Sequence, residues 1–102
     1  MHGLKDIHVK KIQSAFANCK AIDKAILYGS RAKGNYRNGS DIDLTLVGNA
    51  LDLSMLLKIE NKLDDLLLPY NIDLSIFHKI ENTDLIEHIN RVGFVFYEKA
   101  EI

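Results

Sequence analysis

At 102 residues the chain has the commonest domain size, and a single domain spanning 1–102 is expected. With 47% hydrophobic residues, 26% charged residues and a formal net charge of -1, it reads as an ordinary globule. No apolar stretch approaches the roughly 20 residues of a membrane helix, so no bilayer span is expected. Near-neutral charge also speaks against a module that grips long duplex nucleic acid, which needs clustered Lys and Arg. The start, Met1-His2-Gly3-Leu4-Lys5-Asp6, lacks the basic-then-apolar layout of a secretory signal, and a cytoplasmic location follows as the expectation. Cys19 is the only cysteine, and its helical spacing from Ile12 and Phe16 predicts packing rather than chemistry.

Leu4, Ile7, Lys11, Ile12, Ala15, Phe16 and Cys19 recur at helical spacing, which predicts a first helix over about 4–19. Ala25-Ile26-Leu27-Tyr28 is a short apolar run ended by Gly29 and reads as a strand. Ser30 to Lys33 suits one or two helical turns stopped by Gly34. From Asp41 to Val47 the sequence alternates, as a half-buried strand does. Residues 51–68 carry Leu53, Leu56, Leu57, Ile59, Leu63, Leu66 and Leu67, expected on one face of an amphipathic helix that ends near Pro69. Asn71 to Phe77 alternates again. Asn82 or Thr83 can cap a helix running to about Asn90, Gly93 can end it, and Phe94 to Tyr97 makes a last strand. Helices and strands alternating in this way predict an α/β (α+β) fold, a mixed sheet of about four strands with helices packed mainly on one face.

Strand periodicity gives these segments chemical content. Asp41 and Asp43 share one face of their strand, with Ile42, Leu44 and Leu46 on the other. Asp73 shares a face with Ser75 and Phe77, opposite Ile72, Leu74 and Ile76. The intervening helix is long enough to be a crossover that sets the two strands parallel, so that all three carboxylates meet on the uncovered face. Like charges that close repel unless cations sit among them, and an oxygen-only donor set suits Mg²⁺ or Mn²⁺.

Gly29 lets phosphate oxygens approach the backbone, and Ser30 offers an amide and a hydroxyl as donors. Arg31, Lys33 and Arg37 supply a local positive cluster. Gly29 ends one strand and Asp41 opens the next, so turn and carboxylates are expected at one edge of the sheet. His2, His8, His78 and His88 have no metal-ligand spacing and are read as solvated or structural. No Gly-x-x-x-x-Gly-Lys-Ser/Thr run is present, which sets an ordinary P-loop ATPase aside.

The run over 29–44, Gly-Ser followed by ten residues and Asp-x-Asp, resembles the signature of the DNA polymerase beta-like nucleotidyltransferase superfamily, and most of all the minimal nucleotidyltransferases (MNT proteins). That resemblance implies transfer of AMP from ATP to a hydroxyl with release of pyrophosphate, using two Mg²⁺ ions. Asp41 and Asp43 would hold both ions, and Asp73 would hold one and help deprotonate the acceptor. Gly29, Ser30, Arg31 and Ser40 form the expected nucleotide-binding set, with Gly29 and Ser30 on the β- and γ-phosphates. Larger relatives carry a helical acceptor domain, so here a second copy or another protein is expected to complete the site. The resemblance points to a HEPN-domain toxin whose tyrosine is adenylylated by an MNT antitoxin. A small-molecule acceptor, as in aminoglycoside-modifying relatives, and a non-catalytic antitoxin that masks its partner are the alternatives.

Overall fold

The structure, a computed structural model, describes residues 1–100. Its elements are α1 (Asp6–Ala17), β1 (Lys24–Tyr28), α2 (Gly29–Lys33), β2 (Ile42–Val47), α3 (Leu53–Asp65), β3 (Ile72–Ile76), α4 (Thr83–Val92) and β4 (Phe94–Glu98). Strand order is β3-β2-β1-β4. β1 runs antiparallel to both β2 and β4, while β2 and β3 are parallel. This is a four-stranded mixed sheet, with α3 as the crossover that parallel pairing requires. Among the described residues, no helix is long and apolar enough to cross a membrane.

One face of the sheet carries the main core. Ala25, Leu27, Ile42, Leu44, Leu46, Leu74, Ile76 and Phe96 pack under Ile12 and Phe16 of α1 and Ile59 and Leu63 of α3. Each such side chain, when fully buried, contributes on the order of 1.5–3 kcal/mol by leaving water. The alternation in β2 and β3 therefore fixes orientation, because a slip of one residue would bury the carboxylates and expose the leucines.

Several boundaries differ from the sequence expectation for local reasons. β2 begins at Ile42, leaving Asp41 just outside the strand. α3 starts after Asp52, whose side chain caps it by accepting the Met55 amide at 2.9 Å. It ends early, and Leu67 beyond it turns left-handed with φ 53. The chain leaves β3 through a short 3₁₀ turn, Phe77–Lys79, that periodicity does not announce.

The apolar side of α3 is narrower than expected. Ile59 and Leu63 are buried and Met55, Leu56 and Leu66 partly so, whereas Leu53, Leu57 and Leu67 are exposed. At about 100° per residue, Leu53 and Leu57 point well away from the Ile59–Leu63 line.

α4 is the exception to one-sided packing. Its N-terminus is capped by Asn82, whose Oδ1 accepts the amides of Asp84 and Leu85 at 3.0 and 3.2 Å. It lies against β1, with Ile89 almost fully buried and His88 edge-on to the Tyr28 ring at 6.2 Å between centroids. Gly93 ends it with extended backbone (φ -65, ψ 143), and the absence of a Cβ there leaves room for Ile26 and the Ile89 carbonyl. Because Ile26 and Tyr28 alternate with Leu27, α4 covers part of the face opposite α1 and α3.

Candidate active site

The sheet face opposite α1 and α3, partly covered by α4, presents two rows of side chains. Tyr28, Asp43 and Asp73 are consecutive register partners across β1, β2 and β3. One step further along, Ile26, Thr45 and Ser75 form the next row, and the Ser75 hydroxyl donates to Thr45 Oγ1 at 2.9 Å. That bond satisfies the otherwise buried Thr45 hydroxyl and ties β3 to β2 beneath the carboxylates. Asp41, exposed, stands immediately before β2.

The three groups are electrostatically coupled. Burial, together with the negative charges of Asp73 and Asp41, holds the Asp43 carboxyl above its ordinary range; a positive charge on His88 would pull in the other direction. Tyr28 is likewise pushed up, first by burial and then by Asp73 and Asp43, against a lowering hydrogen-bond contribution from Ser75. Its hydroxyl therefore keeps its proton beside the acidic cluster.

Gly29 follows β1 directly and takes φ 75, in the left-handed region that only glycine enters freely. A Cβ at this position would overlap Asp43 Oδ2. The turn and the carboxylate thus pack on one another. The Gly29 amide donates to His88 Nε2 at 3.1 Å, so it is taken, while Ser30 follows it in the first turn of α2. The Ser30 hydroxyl makes no hydrogen bond among the described residues.

Arg31 and Ser40 have other partners. Arg31 is 1% exposed. Its Nε and Nη2 donate to the Ser40 carbonyl at 3.1 and 2.9 Å and its Nη1 to the His2 carbonyl at 3.0 Å, between the rings of Tyr36 and Tyr70. The Ser40 hydroxyl accepts the Arg37 amide at 2.8 Å. A guanidinium with its donors turned to backbone carbonyls pins the loop before β2 rather than facing a nucleotide. Arg37 is exposed on the same loop, and Lys33 is exposed at the end of α2.

His88 is the site neighbour that sequence spacing did not indicate. It lies 59 positions from Gly29 and carries no motif, and only the docking of α4 on β1 brings it there.

The donor set fits a divalent cation. Three carboxylates accumulate charge at one rim, one of them already resisting ionisation. Among the described residues, no group of three or more His, Cys, Asp or Glu side chains is placed so that it could hold a metal ion. Mg²⁺ is ordinarily held by one or two carboxylates with water and substrate phosphates completing the shell, which an open rim of this kind allows.

Comparison with known proteins bears on the same residues. Among solved structures, a toxin–antitoxin crystal structure with AMP-PNP matches with 22% identity and a TM-score of 0.70, over 94% of this chain and 75% of that one. A complex of the tri-AMPylated Shewanella oneidensis HEPN toxin with its MNT antitoxin matches with 20% identity and a TM-score of 0.68, over 97% and 74%. An MntA–HepT toxin–antitoxin structure gives 20% identity and a TM-score of 0.67, over 93% and 74%. At such identities the likeness establishes the fold. No curated protein matches the sequence. The family model for polymerase beta nucleotidyltransferases matches residues 10–102, taking in the Gly-Ser turn and all three aspartates, and the chain belongs to that family.

Proposed function

We propose that this protein is a Mg²⁺-dependent nucleotidyltransferase that moves AMP from ATP to a tyrosine hydroxyl of a cognate HEPN-domain toxin, acting as its antitoxin. The observation that carries the reading is the Asp43–Asp73 register pair standing beside the Gly29 turn. Family membership supplies the reaction class. The acceptor is supported by neighbours of the same fold, one solved with AMP-PNP and another in complex with a tri-AMPylated HEPN toxin.

The acceptor oxygen attacks the α-phosphorus, a new P–O bond forms, the bond to the β-phosphate bridging oxygen breaks, and pyrophosphate leaves. Asp41, Asp43 and Asp73 would hold Mg²⁺, which when bound favours the ionised acceptor and offsets charge on phosphorus and leaving group. Asp73 lies exposed on edge strand β3 and is the base that takes the hydroxyl proton. Ser30 donates to the phosphates through its amide and hydroxyl, and Gly29, having no Cβ, leaves space for the Asp43 carboxylate. The Tyr28 hydroxyl and the Thr45–Ser75 bond hold the floor on which Asp43 and Asp73 stand.

The test is transfer of label from [α-³²P]ATP to the purified HEPN partner, with and without Mg²⁺. Label on the partner that disappears with EDTA and in Asp43→Asn is the expected result. Undiminished toxin neutralisation by the variant with Asp41, Asp43 and Asp73 all changed to Asn would replace catalysis with simple masking.

A further inference from the structure

We infer that His88 is a positioning residue of the nucleotide site, fixing the Gly29 peptide by taking its amide proton. This deepens the ATP-dependent reading above and rests on it for its functional consequence.

The geometry has three connected parts. His88 Nε2 lies 3.1 Å from the Gly29 nitrogen and acts as the acceptor, which assigns the ring proton to Nδ1. The Gly29 peptide is held at φ 75 and packs so tightly on Asp43 that no side chain fits between them. The imidazole is itself held edge-on to Tyr28, the register partner of Asp43. The neighbouring Ile89, 1% exposed, anchors that stretch of α4 to the sheet.

A glycine at the end of a strand has many accessible conformations, and only some place its Cα beside a carboxylate. The side-chain acceptor from α4 selects one. It also withdraws the Gly29 amide from the donors facing a triphosphate, leaving that work to Ser30. The contacts of His88 in this arrangement are with Gly29 and Tyr28. His88 acts through Gly29, and through Gly29 on Asp43.

Three variants separate this role from packing. His88→Leu keeps bulk and removes the acceptor, His88→Gln restores an acceptor at similar reach, and His88→Asn keeps polarity but falls short. The first readout is hydrogen exchange of the Gly29 amide in the protein without nucleotide, followed by NMR. Exchange at Gly29 is expected to accelerate at least about tenfold in H88L and H88N, and to stay within about threefold of wild type in H88Q, in keeping with loss of one hydrogen bond. The second is the affinity for AMP-PNP with Mg²⁺, expected to weaken about fivefold or more in H88L and H88N and to recover in H88Q. Should H88L fail to fold, the H88N and H88Q pair carries the same comparison.

Unchanged Gly29 exchange and unchanged AMP-PNP affinity in H88L or H88N would overturn the inference. So would equal losses in H88Q and H88N, which would mark His88 as a packing residue. Failure of the wild-type protein to bind AMP-PNP would count against the ATP reading instead, and the exchange of Gly29 would still decide what His88 does.

Discussion

Asp43 and Asp73 are direct register partners across the parallel β2–β3 pair, so their side chains leave the sheet on the same face at neighbouring positions. Parallel neighbours in register place two carboxylates as close as backbone spacing allows, about 4.8 Å between strands. Such a pair is unfavourable without a cation, and stability and activity should therefore respond in opposite directions to its removal.

Asp43→Asn is expected to abolish AMP transfer, by at least about a hundredfold, while raising the thermal midpoint in metal-free buffer. The sign follows from the raised carboxyl. The folded state holds the Asp43 proton more tightly than the unfolded chain does. Its contribution is fully present below the unfolded value of 3.8 and is lost as pH rises through the higher folded value. Thermal melts without metal across that acid window should show this pH dependence flattened in Asp43→Asn. Adding Mg²⁺ at neutral pH should stabilise wild type and not the variant.

Gly29→Ala should be damaging out of proportion to one methyl group. The left-handed backbone alone costs an alanine about 1–2 kcal/mol, and the methyl also displaces the Asp43 carboxylate. A loss of about 2 kcal/mol or more in urea unfolding is expected, with transfer reduced about a hundredfold by misplacement of the carboxylate.

Arg31→Leu tests whether the buried guanidinium serves the fold. It removes three hydrogen bonds to backbone carbonyls and leaves the Ser40 carbonyl without its forked donor. A destabilisation of about 2–4 kcal/mol is expected, with ATP affinity in the surviving folded fraction close to wild type. Arg31→Lys should recover only part, because an ammonium is a point charge that cannot span the Ser40 and His2 carbonyls. A large loss of ATP affinity at full stability would instead place Arg31 on the nucleotide.

Leu67→Gly should stabilise the protein. Leu67 is 89% exposed at φ 53, so it gains nothing from burial and carries the cost of a left-handed backbone. Glycine is the usual residue just past a helix end for this reason. Allowing for the greater freedom of glycine in the unfolded chain, a net gain of about 0.5–1 kcal/mol in chemical denaturation is expected.

Read from its order of residues alone, the chain already specified its helices and strands, the parallel pairing of the Asp43 and Asp73 segments, and which way those side chains face. All of these follow from periodicities two to four residues long and from a crossover of the right length, so neighbours along the chain encode them. The Gly-Ser turn and the Asp-x-Asp pair were legible for the same reason.

Tertiary packing decided what lay beyond that range. Leu53 and Leu57 look like core residues until the path of α3 over the sheet turns them to solvent. Arg31 looks like a phosphate ligand until the loop closes and takes its donors. His88 looks idle until α4 settles on Ile26 and Tyr28 and delivers it to the Gly29 amide, a contact spanning 59 positions. Local periodicity sets where a side chain points relative to its own element, but what it meets depends on how elements dock, and that is fixed by burial summed over the whole core.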